Sequence, residues 1–345
     1  MSVALRTALA VALAALAAGG LAACGGSDSS SEGASGDRAA AAKARERLNG
    51  ADKPTADQFP KVTAGQTMQQ LADSVGVTGT EVGLASSVFT PGHNRIAFGV
   101  ISDQGQFVYG PTAVYVARSP RSKDILGPYL APADLLVTEA AYRSRQAATE
   151  EDPFAAVYSA DAVELEQPGR WTVLVVTKVG DRLVAAPSQV TVRKDSPVPE
   201  PGERAPKVQT DTVASAGGNI EAIETRLPPD DMHSVGLPDV LGKKPVALLF
   251  ATPQLCQSRV CGPVVDIAAQ LKDEYGDRVE FIHQEVYVDN DPNKGLREPL
   301  GRYGLPTEPW LFTIDTKGRV AARLEGSFGL EGFRKAVQAA IARSS

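Results

Sequence analysis

Between positions 196 and 206 the chain carries Pro197, Pro199, Pro201 and Pro206, and the hydrophobic periodicity differs on the two sides of that stretch. Proline fixes φ and removes a backbone donor, so this segment predicts an extended, semi-rigid joint between two folding units. Upstream, short β-type runs at 95–102, 106–109, 112–117, 156–165, 170–179 and 182–192 are broken by turn residues. Strands at this spacing predict an all-β sandwich. The turn at Pro168-Gly169 leads into Thr172-Val173-Leu174-Val175-Val176, apolar enough for a central strand. Downstream, strand and helix alternate. Residues 245–252 predict a buried strand, and 263–275 a helix with Val264, Ile267, Ala268 and Leu271 on one face and Gly276 as its stop. Residues 278–288 and 310–314 predict further strands, 319–324 a strand after the turn at Thr316-Lys317-Gly318, and 330–342 a closing helix. That order predicts an α/β unit.

The 345 residues leave room for two small domains besides an N-terminal leader. A net charge of -6, with no block of like charge, argues against nucleic acid as a partner. Arg6 precedes an Ala/Leu/Val run over 7–18, too short to span a bilayer comfortably and suited to the apolar region of a secretory signal. The run ends at Leu21-Ala22-Ala23-Cys24-Gly25, which resembles the bacterial lipobox. The resemblance implies cleavage before Cys24, acylation of its thiol (a palmitate-type anchor) and an extracytoplasmic location at the cell membrane. The Gly/Ser/Ala-rich residues that follow read as a flexible tether. The expected division is signal peptide 1–23, tether 24–37, a partly helical stretch 38–80, β-sandwich 81–195, Pro-rich linker 196–217 and α/β domain 218–345. The Arg and Lys residues at 38–47 read as a solvated helix face.

The β-unit resembles the immunoglobulin-like modules that accompany bacterial extracytoplasmic redox and metal-handling proteins, an analogy of fold alone. His93 reads there as a loop residue, and the unit shows no metal-binding set. The last third of the chain resembles the thioredoxins in four places. Residues 246–252 look like the central strand that delivers the redox cysteine, and Cys256 and Cys261 fall between that strand and the next helix. Glu308-Pro309-Trp310 resembles the stretch at the family's cis-proline, and Lys317-Gly318-Arg319 the hairpin turn beyond it. Two features depart from the family. Four residues, not two, separate the cysteines, and Cys261-Gly262-Pro263-Val264 reads like the usual Cys-Gly-Pro-Cys with its second cysteine replaced. The interior acid of the central strand is replaced by apolar residues such as Leu248.

With Cys24 taken by lipid, Cys256 and Cys261 are each other's only partner, and an oxidising compartment favours a disulfide between them. A helix N-terminus and the positive charge of Arg259 both favour thiolate. Either cysteine can be the nucleophile, with Cys256 favoured as the more exposed. The resemblance implies a cis bond before Pro309, client binding along Glu308 and Pro309, and Trp310 as a lip or a packing residue. His283 and Glu285 fall on the second strand, Glu285 towards its carboxyl end, as candidate proton-transfer groups; a satisfied interior residue is the plainer reading of a strand histidine. No metal ligands and no organic cofactor are assigned. Three functions fit: thiol-disulfide exchange with exported proteins, copper carriage like that of the Sco-type chaperones, or a binding module with a structural disulfide.

Overall fold

The computed structural model describes residues 42–76 and 79–344. The signal, Cys24 and the tether lie outside these residues. Among the described residues no helix is long and apolar enough to cross a membrane.

The first unit holds eight strands: β1 (Glu81–Leu84), β2 (Gly92–Ile101), β3 (Thr112–Ala117), β4 (Leu126–Leu130), β5 (Ala133–Leu135), β6 (Ala156–Leu165), β7 (Gly169–Val179) and β8 (Arg182–Val192). They form two antiparallel four-stranded sheets, ordered β1-β2-β6-β5 and β4-β3-β7-β8. Alternate residues of facing strands, including Ile96, Phe98, Val114, Val116, Tyr158, Val173 and Val175, share one core. The opposite face of β3 and β7 is also covered: helix α1 (Met68–Val75) brings Met68 and Leu71 against Tyr115, Leu174 and Val176. Burial on both faces explains why the 172–176 run is continuously apolar rather than alternating. His93, expected in a loop, is an exposed residue at the start of β2.

The second unit is built from β9 (Val246–Phe250), β10 (Glu280–Gln284), β11 (Trp310–Ile314) and β12 (Val320–Glu325), ordered β10-β9-β11-β12. β10 runs parallel to β9, whereas β11 is antiparallel to both β9 and β12. Four helices accompany the sheet: α2 (Leu237–Val240), α3 (Cys261–Tyr275), α4 (Glu298–Tyr303) and α5 (Leu330–Ser344). Strand order, strand direction and the helices between them make this a thioredoxin-like fold. Because side chains alternate along a strand, Ala247, Leu249 and Leu311 meet Val264, Ile267 and Leu271 of α3 and Phe333 of α5. Leu248, Phe250 and Phe312 meet Leu300 and Tyr303 of α4 on the other side.

The Pro-rich joint is not a free spacer. Gly202 N donates to Val320 O (2.8 Å), Val320 N to Glu203 O (2.9 Å) and Ala205 N to Gly318 O (3.0 Å). β12 is the edge strand, and its outward backbone groups need partners. The joint supplies them at Val320, from positions between its prolines, and its own Val198 is buried.

The two units also share packing. Arg95 of β2 donates to the carbonyls of Glu325 (3.0 Å) and Ser327 (2.7 Å). Glu325 in turn accepts from Ser87 Oγ (2.6 Å) and Val88 N (2.9 Å). Asp134 accepts from Glu331 N (3.0 Å) and Gly332 N (2.8 Å) in the first turn of α5. A carboxylate there satisfies free amides and meets the positive end of the helix dipole.

Candidate functional site

The loop after β9 carries both cysteines. Cys256 N donates to Thr252 O (3.1 Å), Arg259 N to Cys256 O (3.3 Å) and Val264 N to Val260 O (3.1 Å), so the chain coils directly into α3. Arg259 takes a left-handed φ of 60° at the end of this turn. The helix begins two residues earlier than the sequence predicts, at Cys261 itself, which places that thiol on its first turn. Both cysteines are free thiols.

Their environments differ. Cys256 is 9% exposed and Cys261 0%. The Cys256 pKa is lowered to about 6, chiefly by the hydrogen bond from the Cys261 side chain, against the opposing effect of burial. Ser258 Oγ, 3.2 Å from the sulfur, and the backbone amides of Cys261 and Ser258 lower it further. Burial pushes the Cys261 thiol well up, and its hydrogen bond to Cys256 and the charges of Cys256 and Glu308 push it further. Arg259, expected to favour thiolate, is exposed and is not among the groups that chiefly stabilise Cys256. The N-terminal amide of α3 acts as expected.

The Glu308–Pro309 bond is cis. Glu308 lies close enough to the thiols for burial and the Cys256 charge to raise its own pKa. Trp310 offers no lip for a client. It is 1% exposed, its ring stacks on Phe312 with centroids 5.8 Å apart, and Nε1 donates to Thr307 Oγ1 (3.1 Å). The partly exposed aromatic near the thiols is Tyr287, whose pKa is raised first by burial and then by the charges of Glu308, Cys256 and Cys261. Nothing in its local sequence marked it, because the expected strand ran through 288 and hid the turn that presents it.

His283 and Glu285 are fully buried, and their side chains bond to groups other than the thiols. β10 ends at Gln284, so Glu285 lies just beyond the strand rather than on it. Its Oε1 accepts from Thr225 N (2.9 Å) and Thr225 Oγ1 (2.5 Å), and Thr225 Oγ1 accepts from Gln254 N (3.2 Å) in the cysteine loop. Burial raises the Glu285 pKa, while the His283 charge and the Thr225 hydrogen bond oppose the rise.

His283 joins a cluster that the sequence did not foreshadow, and the expectation of no metal-ligating set gives way here. Glu224, Asp230, His233 and His283 bring four candidate ligand atoms within 4.8 Å of one another. His283 Nδ1 is 2.8 Å from Asp230 Oδ2 and 3.3 Å from Glu224 Oε2, and His233 Nε2 is 3.1 Å from Glu224 Oε2. Burial disfavours a charged His283, but Glu224 and Asp230 outweigh it and raise the pKa well above the usual value. Three of the four residues lie in the irregular segment before α2, where no periodicity or motif marks them. The one available signal was His283 within the apolar run Phe281-Ile282, since a buried imidazole requires polar partners.

The remaining buried ion pair ties this segment to α3. Arg226 Nε donates to Asp266 Oδ1 (2.9 Å), and Asp266 Oδ2 accepts from Ser144 N (3.0 Å). Ser144 belongs to the first unit, and its neighbour Gln146 abuts Gly262, where an added Cβ would come within 2.5 Å of the Gln146 carbonyl oxygen. The cysteine-bearing end of α3 is thus partly covered by a loop of the β-unit.

The sequence matches no family model and no curated protein. Among solved structures, a protein assigned as the thiol:disulfide interchange protein DsbE from Chlorobium tepidum is 17% identical. The match covers 41% of this chain and 99% of that one, with a TM-score of 0.30. A thioredoxin-like protein in its oxidised form is also 17% identical over 32% of this chain and 87% of that one, with a TM-score of 0.28. An endo-beta-1,4-mannanase from Thermotoga petrophila is 8% identical over 35% of this chain and 21% of that one, with a TM-score of 0.19. At these scores the likenesses carry no argument about activity, and the thioredoxin-like assignment rests on the strand order and directions of the second unit.

Proposed function

We propose that this chain is a lipid-anchored extracytoplasmic protein that exchanges disulfides with exported proteins, with Cys256 as nucleophile and Cys261 as resolving thiol. The observation that carries the reading is the asymmetry of the pair: one thiol that keeps 9% of its surface exposed, with its pKa lowered to about 6, the other fully buried with its pKa raised. A thiolate is the attacking species, and a protected partner thiol is suited to the second step. In the reductive direction, the Cys256 thiolate attacks a client disulfide, forming a mixed disulfide and releasing one client thiolate. Cys261 then loses its proton and attacks the Cys256 sulfur. The second client thiol leaves, and the Cys256–Cys261 disulfide remains until an external dithiol reduces it. In this reading Glu308 offers its backbone to the client and Tyr287 flanks it.

The copper-carrier reading loses its third ligand, because His283 directs Nδ1 into the cluster of Glu224, Asp230 and His233, which includes neither cysteine. The structural-disulfide reading is separated by potential. Equilibration with glutathione or dithiothreitol buffers is expected to give a value in the range of exchange proteins, roughly -270 to -120 mV. Cys261→Ser is expected to accumulate client mixed disulfides, and Cys256→Ser to accumulate none. A potential below about -300 mV, with no trapped client, would mark a structural bridge instead.

A further inference from the structure

The buried cluster at Glu224, Asp230, His233 and His283 has the composition of a metal site, and neither thiol belongs to it. We propose that these four side chains bind one divalent transition-metal ion, Zn2+ foremost, in a closed tetrahedral N2O2 site through Glu224 Oε2, Asp230 Oδ2, His233 Nε2 and His283 Nδ1. This inference does not rest on the exchange reading.

The spacing carries the first step. A tetrahedral ion with bonds of about 2.0–2.1 Å places neighbouring ligand atoms roughly 3.3 Å apart. Three separations among these atoms are 2.8, 3.1 and 3.3 Å and all four atoms lie within 4.8 Å of one another, so an ion fits once the cluster draws in around it.

Orientation carries the second step. Each carboxylate commits one oxygen to the backbone and aims the other inward. Glu224 Oε1 accepts from Arg226 N (2.6 Å), and Asp230 Oδ1 accepts from Met232 N (2.8 Å). His283 Nε2 lies 3.1 Å from Ala251 O, which holds a proton there, so an ion that displaces the Nδ1 proton meets a lone pair facing the cluster. A backbone carbonyl on the distal nitrogen is the usual support of a metal-binding histidine.

Charge and donor type carry the third. Two carboxylates and two neutral imidazoles balance a dication in a place where an uncompensated charge is costly. All four side chains are at most 1% exposed, leaving no open position for water, which is the arrangement of a structural site rather than a catalytic one. Nitrogen and carboxylate donors without sulfur disfavour Cu(I). The ion would pin the 224–233 segment to the middle of β10 and, through Ala251, to the end of β9. Thr252, the next residue, holds the Cys256 amide, so the site braces the base of the cysteine loop.

The test uses the full chain in detergent, stripped with a chelator, reloaded with Zn2+ and desalted. One equivalent retained per chain is expected, and the same amount in a Cys256→Ser/Cys261→Ser double variant. Glu224→Gln and His233→Ala are expected to lose affinity by roughly tenfold or more. If those variants fail to fold, Co2+ loading of the wild-type chain decides. The expected spectrum has visible d–d bands of tetrahedral intensity and no thiolate charge-transfer band. Wild-type chain that retains no Zn2+, binding that disappears with the cysteines, or a thiolate band with Co2+ would each overturn the assignment.

Discussion

Cys256 and Cys261 are separated by four residues and border one apolar core, yet the first sulfur meets thiol, hydroxyl and amide donors while the second is fully enclosed. Donors stabilise the thiolate and burial the thiol, which is how one short loop holds two different acids. In the reduced chain, alkylation of Cys256 is therefore expected to follow a midpoint near pH 6. The Cys261 side chain is the largest contributor to that depression, so Cys261→Ala is expected to raise the midpoint more than Ser258→Ala does. Equal shifts would contradict the assignment. The linked stability has a definite sign. The folded-state pKa is depressed from 9.0 to about 6, so above pH 6 the unfolded chain holds a proton that the folded chain has lost. The Cys256 contribution is absent below pH 6, grows as pH rises towards 9, and is fully present beyond it. Denaturant midpoints of the reduced wild-type chain, compared with Cys256→Ala across that interval, check the slope. At this scale the dithiol and the proline at 309 were readable from local sequence. The four-residue acid–histidine cluster was not, because Glu224, Asp230 and His233 become neighbours of His283 only when an irregular segment folds across the sheet.

Secondary-structure elements with strong internal periodicity were legible almost to the residue: β6, β8 and β11 have the predicted bounds. β1, β4 and β5 are not among the strands predicted from sequence, and for β4 the reason is physical. The Leu126–Leu130 strand contains Gly127-Pro128, a turn signal that only an edge strand tolerates, and β4 is an edge. The early start of α3 was hidden similarly, since Pro263 marks a helix's first turn but does not say how many residues precede it. That first turn supports a specific prediction. Alanine at Gly262 would gain up to about 1 kcal/mol of helix propensity. Its Cβ would also come within 2.5 Å of the backbone oxygen of Gln146, which cannot rotate away. Overpacking of this kind typically costs about 1–3 kcal/mol, so net destabilisation is expected in urea titrations. An unchanged or raised midpoint would mean that the 144–148 loop does not press on the cysteine-bearing end of the helix.

For the whole molecule, the question is whether two units recognisable in sequence behave as two units in solution. The Pro-rich joint suggested independence, but its backbone pairs with Val320 at the start of β12, and one apolar core runs from Phe98 and Tyr158 to Val264 and Phe333. Arg95, Asp134 and Glu325 add polar links between the units, the Glu325 one buried. An interface of this kind makes separation about as costly as unfolding either part, which predicts a single cooperative transition. The chain contains two tryptophans, Trp171 in β7 and Trp310 in β11, one reporter for each unit. In Trp171→Phe the fluorescence midpoint of Trp310 is expected to coincide with the far-UV circular dichroism midpoint of the same variant, and likewise for Trp171 in Trp310→Phe. Comparing the two probes within each variant removes the stability cost of the substitution itself. Separate transitions would show that the β-unit is a detachable neighbour of the thioredoxin-like unit. Coincidence would mean that its 144–148 loop is a fixed part of the surroundings in which Cys256 meets a client.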